Sequence, residues 1–162
     1  MQSAPALQEN AIRFFDEPVR SLLRSKGRNQ VWSVTPDETV YRAIEIMSER
    51  QIGCLVVLIG GQLAGIVSER DYARKVILMG RSSLQTRVRE IMTTPALFVT
   101  PEKTVADAMR IMTNRRVRHL PVLEGDNIVG MLSIGDLVNW VITSQQQTIK
   151  HLHNYIAGNY PA

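Results

Sequence analysis

The sequence predicts an α+β fold built from two copies of one helix-and-strand unit, and three observations carry that expectation. Aligning Val34-Thr35-Pro36 with Val99-Thr100-Pro101 gives an offset of 65 that holds without a gap to Asp71 and Asp136. Sixteen of those 38 positions are identical, where average residue usage would give about two or three. Each copy also carries apolar residues at helical spacing, followed by two short apolar runs separated by a turn.

Taken in order, each copy opens on a helical turn, Val19-Arg20-Ser21-Leu22-Leu23 in the first and Val88-Arg89-Glu90-Ile91-Met92 in the second. The offset there is 69, so the first copy carries four extra residues around Ser25-Lys26-Gly27-Arg28. A strand then ends in Val-Thr-Pro. Thr39 and Thr104 stand as N-caps before Val40, Ala43, Ile44, Met47 and Val105, Ala108, Met109, Met112, the i, i+3, i+4, i+7 pattern of an amphipathic helix. The paired apolar runs are Leu55 to Ile59 and Leu63 to Val67 around Gly60-Gly61, and Leu120 to Leu123 and Ile128 to Leu132 around residues 124–127. Each reads as a hairpin. Ser68-x-x-Asp71 and Ser133-x-x-Asp136 then open a further apolar helix. A lone copy would leave a sheet face bare, whereas two copies about a pseudo-twofold axis would cover both, which predicts one compact domain. The expected segments are 1–18, an N-terminal segment in which Ile12, Phe14 and Phe15 suggest a short docking helix; 19–80 and 81–142, the two repeats; and 143–162, a C-terminal helix closed by Gly158.

Composition narrows the function classes. A hydrophobic fraction of 44% and a charged fraction of 21% suit a folded globular chain of 162 residues. No apolar run nears the roughly 20 residues that span a bilayer, and the N-terminus lacks the basic, apolar and cleavage regions of a leader, so a cytoplasmic protein is expected. The single cysteine, Cys54, lies in the run Cys54 to Ile59 and reads as a buried structural thiol in a reducing compartment. Histidines 119, 151 and 153 have no metal-ligand spacing, and the methionines read as core. No catalytic triad, Walker loop or pair of catalytic acids stands out. Net charge is +4, with arginines bunched at 81, 87 and 89 and at 115, 116 and 118. Such clusters attract phosphates. A nucleic-acid-binding protein is therefore the rival reading, although interleaved aromatics, zinc spacing and a basic tail are missing.

The strings Gly65-Ile66-Val67-Ser68-Glu69-Arg70-Asp71, Arg116-Val117-Arg118-His119-Leu120-Pro121-Val122 and Gly130-Met131-Leu132-Ser133-Ile134-Gly135-Asp136 resemble tandem CBS domains, the arrangement called a Bateman module. The resemblance runs from about Val19 to Trp140. It implies an α+β pair of β-α-β-β-α repeats, without catalysis of its own, whose two clefts bind AMP, ADP, ATP, NAD(H) or S-adenosylmethionine as a signal to a regulated partner. In similar proteins the hydroxyl and carboxylate of Ser-x-x-Asp contact phosphate and ribose, while backbone near the other copy's first strand and hairpin holds the adenine. Carried over, one cleft uses Ser133, Gly135 and Asp136 with Lys26, Gly27 and Ile52 near the base. The mirror cleft uses Ser68, Arg70 and Asp71 with Met92, Thr93 and Val117. The resemblance also implies a homodimer formed through helices, in keeping with the apolar stripes on the helices here.

Each of these residues has a plainer reading. Ser-x-x-Asp is also a capping box, and the two roles are compatible because a helix start with free amides favours anions. Arg118 and His119 can simply complement a helix end, or can bind phosphate at the cleft mouth. At the matching position the first copy has Gly53 and Cys54, so the clefts are expected to be unequal, with the Ser133/Asp136 cleft taking a phosphorylated ligand first.

Overall fold

A computed structural model describes residues 13–157; Ile12 and Gly158 lie outside them. Helix α1 (Val19–Lys26) buries Val19, Leu22 and Leu23 and stops at Gly27, whose φ of 71° is open to glycine without strain. Strand β1 (Ser33–Val34) runs parallel to β2, with Ser33 opposite Val56. Helix α2 (Val40–Arg50) is capped by Thr39, whose hydroxyl accepts from the Arg42 amide, and buries Val40, Ala43, Ile46 and Met47. Strands β2 (Cys54–Ile59) and β3 (Gln62–Ser68) pair antiparallel. Their turn residues Gly60 and Gly61 both have positive φ, 58° and 79°, as a two-residue turn matched to strand twist requires. In the second copy α4 (Val105–Arg115), behind Thr104, repeats α2, and β4 (His119–Glu124) pairs with β5 (Asn127–Ser133). The β1 equivalent is a single parallel bridge from Val99 to Val122.

The two Ser-x-x-Asp helices differ in length. After Ser68 a single α-helical turn, α3 (Glu69–Tyr72), passes into a π-helical turn (Ala73–Ile77). After Ser133 the helix α5 (Ile134–Ile156) continues for 23 residues without a break. The first copy stops early because its chain turns at Gly80 (φ 65°), leaving Ile77, Leu78 and Met79 exposed beyond buried Val76.

The chain divides into two compact units. Among described residues the first unit comprises 13–28, 100–120 and 132–157, and the second comprises 29–99 and 121–131. The opening turns explain why each unit mixes both copies. Val19 donates to the Lys103 carbonyl at 2.7 Å, Arg20 to Pro101 at 3.0 Å, and Val105 back to Glu17 at 2.9 Å. The second copy answers in kind: Val88 donates to Glu38 at 2.9 Å, Arg89 to Pro36 at 3.0 Å, and Val40 to Thr86 at 2.9 Å. Each copy's opening turn thus docks against the helix start of the other copy. The second unit's core gathers Val34, Val40, Ala43, Met47, Leu55, Val57, Val67, Val88 and Ile91. In the first unit Val19, Leu22, Val105, Ala108, Met112, Leu120, Leu132 and Leu137 are buried. Each such leucine or valine is worth roughly 1.5–3 kcal/mol.

Candidate functional site

In the first unit the end of β5 and the start of α5 bring Ser133 and Asp136 into a reciprocal cap. The Ser133 amide donates to Asp136 Oδ2 at 2.8 Å, and the Asp136 amide donates to Ser133 Oγ at 3.1 Å. Lys26, the last residue of α1, donates from Nζ to the same Oδ2 at 2.9 Å. Among the described residues Oδ1 accepts no bond, and the Asp136 side chain is 19% exposed. The Ile134 amide donates to the Arg118 carbonyl at 2.9 Å, which sets exposed Arg118 and half-buried His119 beside this helix start. A Cβ built on Gly135 would meet only Ser133 Oγ, at 3.7 Å, so packing does not demand glycine there. Gly27 and Val117 lie in the same unit, the latter held by its amide to the Met112 carbonyl at 3.1 Å.

The second unit holds Ser68 and Asp71 in the same cap, but more of the carboxylate is used. Asp71 Oδ2 accepts from the Ser68 amide at 3.0 Å and from its hydroxyl at 2.9 Å, while Lys75 Nζ lies 2.9 Å from Oδ1. Lys75 also donates to the Ile91 carbonyl at 2.7 Å. The Glu69 amide donates to the Gly53 carbonyl at 3.0 Å, the counterpart of the bond to Arg118. Thr93 exchanges two backbone bonds with Ile66, at 2.8 and 3.0 Å, and Thr94 Oγ1 donates to the Ala64 carbonyl at 2.8 Å, which lays the Met92-Thr93 segment along β3. Arg70 is half-buried on α3, and Ile52 packs against this unit's core.

Sequence reasoning missed Lys75, although its i+4 spacing from Asp71 is a usable signal on a helix. The ammonium of Lys26, which the resemblance sets near the base, reaches the Asp136 carboxylate. The arginines read as phosphate attractors at 81, 87 and 89 are engaged locally. Arg81 pairs with Glu90, Arg89 with Asp37, and Arg87 donates to the Asp37 carbonyl at 2.9 Å. The Glu90 carboxyl is held below its usual range, first by the Arg87 amide and then by the Arg81 side chain. Cys54 is buried, and desolvation, with a lesser push from Asp71, raises its thiol to about 12, so it is no nucleophile at neutral pH. Among the described residues no cluster of His, Cys, Asp or Glu could hold a metal, and no helix is long and apolar enough to cross a membrane.

A groove of about 680 Å³ runs beside the Lys26–Asp136 pair, lined by Ser21 and Ser25 of α1 and by Trp140 and Thr143 of α5 among others. The arrangement offers an open carboxylate oxygen, an uncrowded helix start and nearby cations, a set able to hold a hydroxyl-rich anion.

The CBS domain model matches residues 19–77 and 88–143. The chain is 41% identical to the mitochondrial CBS domain-containing protein CBSX3 of Arabidopsis thaliana, over 96% of this chain and 79% of that one. A solved CBS-domain protein from Burkholderia ambifaria MC40-6 superposes with a TM-score of 0.76 at 47% identity, covering 79% of this chain and 96% of that one. The hexameric CBS-CP12 protein from bloom-forming cyanobacteria gives 0.68 at 28% identity, covering 75% and 70%.

Proposed function

Because the chain belongs to the CBS-domain family, as a regulatory module with two CBS domains, we propose that it is a non-catalytic sensor that binds an adenine nucleotide (AMP, ADP, ATP or NAD(H)). The observation that carries this reading is the start of α5. Asp136 keeps Oδ1 open, Ser133 Oγ donates to no described residue, and Gly135 leaves space beside both. A ribose diol fits the carboxylate, and a phosphate fits the helix start with Arg118 alongside. The Asp71 carboxylate is already used on both oxygens, which favours filling of the Ser133/Asp136 site first. Bound nucleotide shifts the balance between two states, and a regulated partner reads that shift through its differential affinity for them.

We further infer a homodimer. Ile134, Val138, Ile142 and Ile149 form an exposed stripe along α5, and a CBS-CP12 relative is hexameric. A cytoplasmic setting suits the buried, unpaired thiol of Cys54. Thermal stability measured with AMP, ADP, ATP, NAD, NADH and S-adenosylmethionine tests the sensor. A ligand at 100 times its Kd adds about 2.7 kcal/mol. Absence of a shift with every nucleotide would refute it, and a shift with S-adenosylmethionine alone would move the reading to that ligand. In calorimetry Arg118→Ala should weaken the tighter site and Arg70→Ala should spare it; the opposite result reverses the site assignment.

A further inference from the structure

Asp71 and Asp136 occupy equivalent positions, yet their cations come from different places. Asp71 is paired by Lys75, one turn further along its own short helical segment. The position equivalent to Lys75 is Trp140, whose Nε1 donates to the Phe14 carbonyl at 3.1 Å. Asp136 takes its cation from Lys26, 110 positions away at the last turn of α1, with an Nζ to Oδ2 distance of 2.9 Å. The pair joins the C-terminal end of one helix to the N-terminal end of another, so each charge also faces the helix pole that favours it.

We propose that Lys26–Asp136 is a ligand-operated latch between α1 and α5. The inference rests on Asp136 being the carboxylate that receives the ligand's ribose diol. Two hydroxyls gripping both oxygens would ask Oδ2 to accept a third donor besides the Ser133 amide and Lys26. The Ser133 amide is fixed by the strand-to-helix turn, whereas the ammonium sits on a flexible stem and rehydrates readily. Lys26 is the donor that leaves. A partly exposed ion pair costs little to break, so a diol can displace it. The N-terminal end of α1 stays anchored by the Val19 and Arg20 backbone bonds and by the 2.7 Å pair of Arg20 with Glu102. Its C-terminal end, Leu23 to Gly27, is the part that loosens, beside the groove that α1 and α5 line. A diol at Asp71 would meet Lys75, which lies on the same helical segment and keeps its bond to the Ile91 carbonyl at 2.7 Å if displaced, so the two sites differ in output as well as in affinity.

Hydrogen exchange on the full chain, with and without AMP, tests this directly. AMP should slow exchange at residues 133–137 and speed it several-fold at 22–28, and 3′-deoxy-AMP, which lacks one hydroxyl of the diol, should leave 22–28 unchanged. Lys26→Met should exchange fast at 22–28 without ligand and bind AMP about two- to fivefold more tightly, since the competing pair is gone. Lys26→Arg should restore the parent pattern. AMP that protects 133–137 without altering 22–28 overturns the latch while leaving the sensor intact, as does weaker AMP binding by Lys26→Met, which would make Lys26 a direct ligand contact. If AMP protects nothing, the AMP site at Asp136 falls and the latch with it.

Discussion

Gly65→Ala is expected to destabilise the protein by about 2–4 kcal/mol, through crowding alone. Gly65 lies on β3 opposite Val57, and its φ is outside the left-handed region, so alanine brings no backbone strain. The added Cβ would lie 2.6 Å from the Thr93 carbonyl oxygen and 3.5 Å from Met92 Sδ. Thr93 cannot simply retreat, because it donates to the Ile66 carbonyl at 2.8 Å and accepts from the Ile66 amide at 3.0 Å. Overpacking costs about 1–3 kcal/mol, and weakening two hydrogen bonds adds about 1 kcal/mol each. Restriction of the unfolded chain by alanine returns about 0.4–1 kcal/mol. Urea unfolding should show a lower midpoint with an unchanged slope, and the melting temperature should fall by about 2–4 °C per kcal/mol. Faster hydrogen exchange at Ile66 and Thr93 would locate the damage. A variant within about 0.5 kcal/mol of the parent, inside the range of neutral surface changes, would refute the close fit of the Met92-Thr93 segment on β3.

Four further outcomes are expected. Gly135→Ala should stabilise folding by about 0.5–1 kcal/mol, because alanine suits a helix and its Cβ meets only Ser133 Oγ at 3.7 Å, while calorimetry shows weaker nucleotide binding; tighter binding would refute the role given to that space. Asp136→Ala should lower AMP affinity by about 1.5–3 kcal/mol and Asp71→Ala by clearly less; equal losses by titration would show that the open Oδ1 does not rank the sites. Folded Cys54 keeps its proton up to about 12 against 9.0 when exposed, so its stabilisation is fully present below pH 9.0 and is lost as pH rises toward 12. A thiol reagent at pH 8 should label it only in denaturant, and rapid labelling of the native protein would contradict its burial. Light scattering should give twice 18.2 kDa, and Ile142→Glu with Ile149→Glu should return the monomer; a parent that is monomeric at micromolar concentration refutes the dimer.

The elements were legible in the sequence because their signals are local and occur twice. Thr39 and Thr104 cap helices, Gly60-Gly61 sets a hairpin, and Ser-x-x-Asp starts a helix, each decided within a few residues. The exchange of opening turns was not legible. Val19 to Lys103 and Val88 to Glu38 are backbone bonds, and any residue but proline supplies the same donor. The Lys26–Asp136 pair spans 110 positions and escaped for the same reason, whereas Asp71–Lys75 has a helical spacing that a closer reading could use. The cluster at 81, 87 and 89 misled because adjacency in sequence counted its charge but not Asp37 and Glu90, which take up Arg89 and Arg81.

The exchanged opening turns bear on how the chain comes off the ribosome. Residues 29–99 carry most of the second unit, including its three-stranded sheet and the Val88 turn, so that unit can begin to close once Val99 has emerged. Helix α1 is made first but must wait for its partners. Lys103 and Pro101 follow some eighty residues later, and Asp136 later still. Until then Val19, Leu22 and Leu23 remain bare to water and to any chaperone that binds apolar helices. A gene fragment encoding either copy alone would leave an opening turn without its dock and a helix start without its cover, so half of this duplication should fail to fold although it contains a whole repeat.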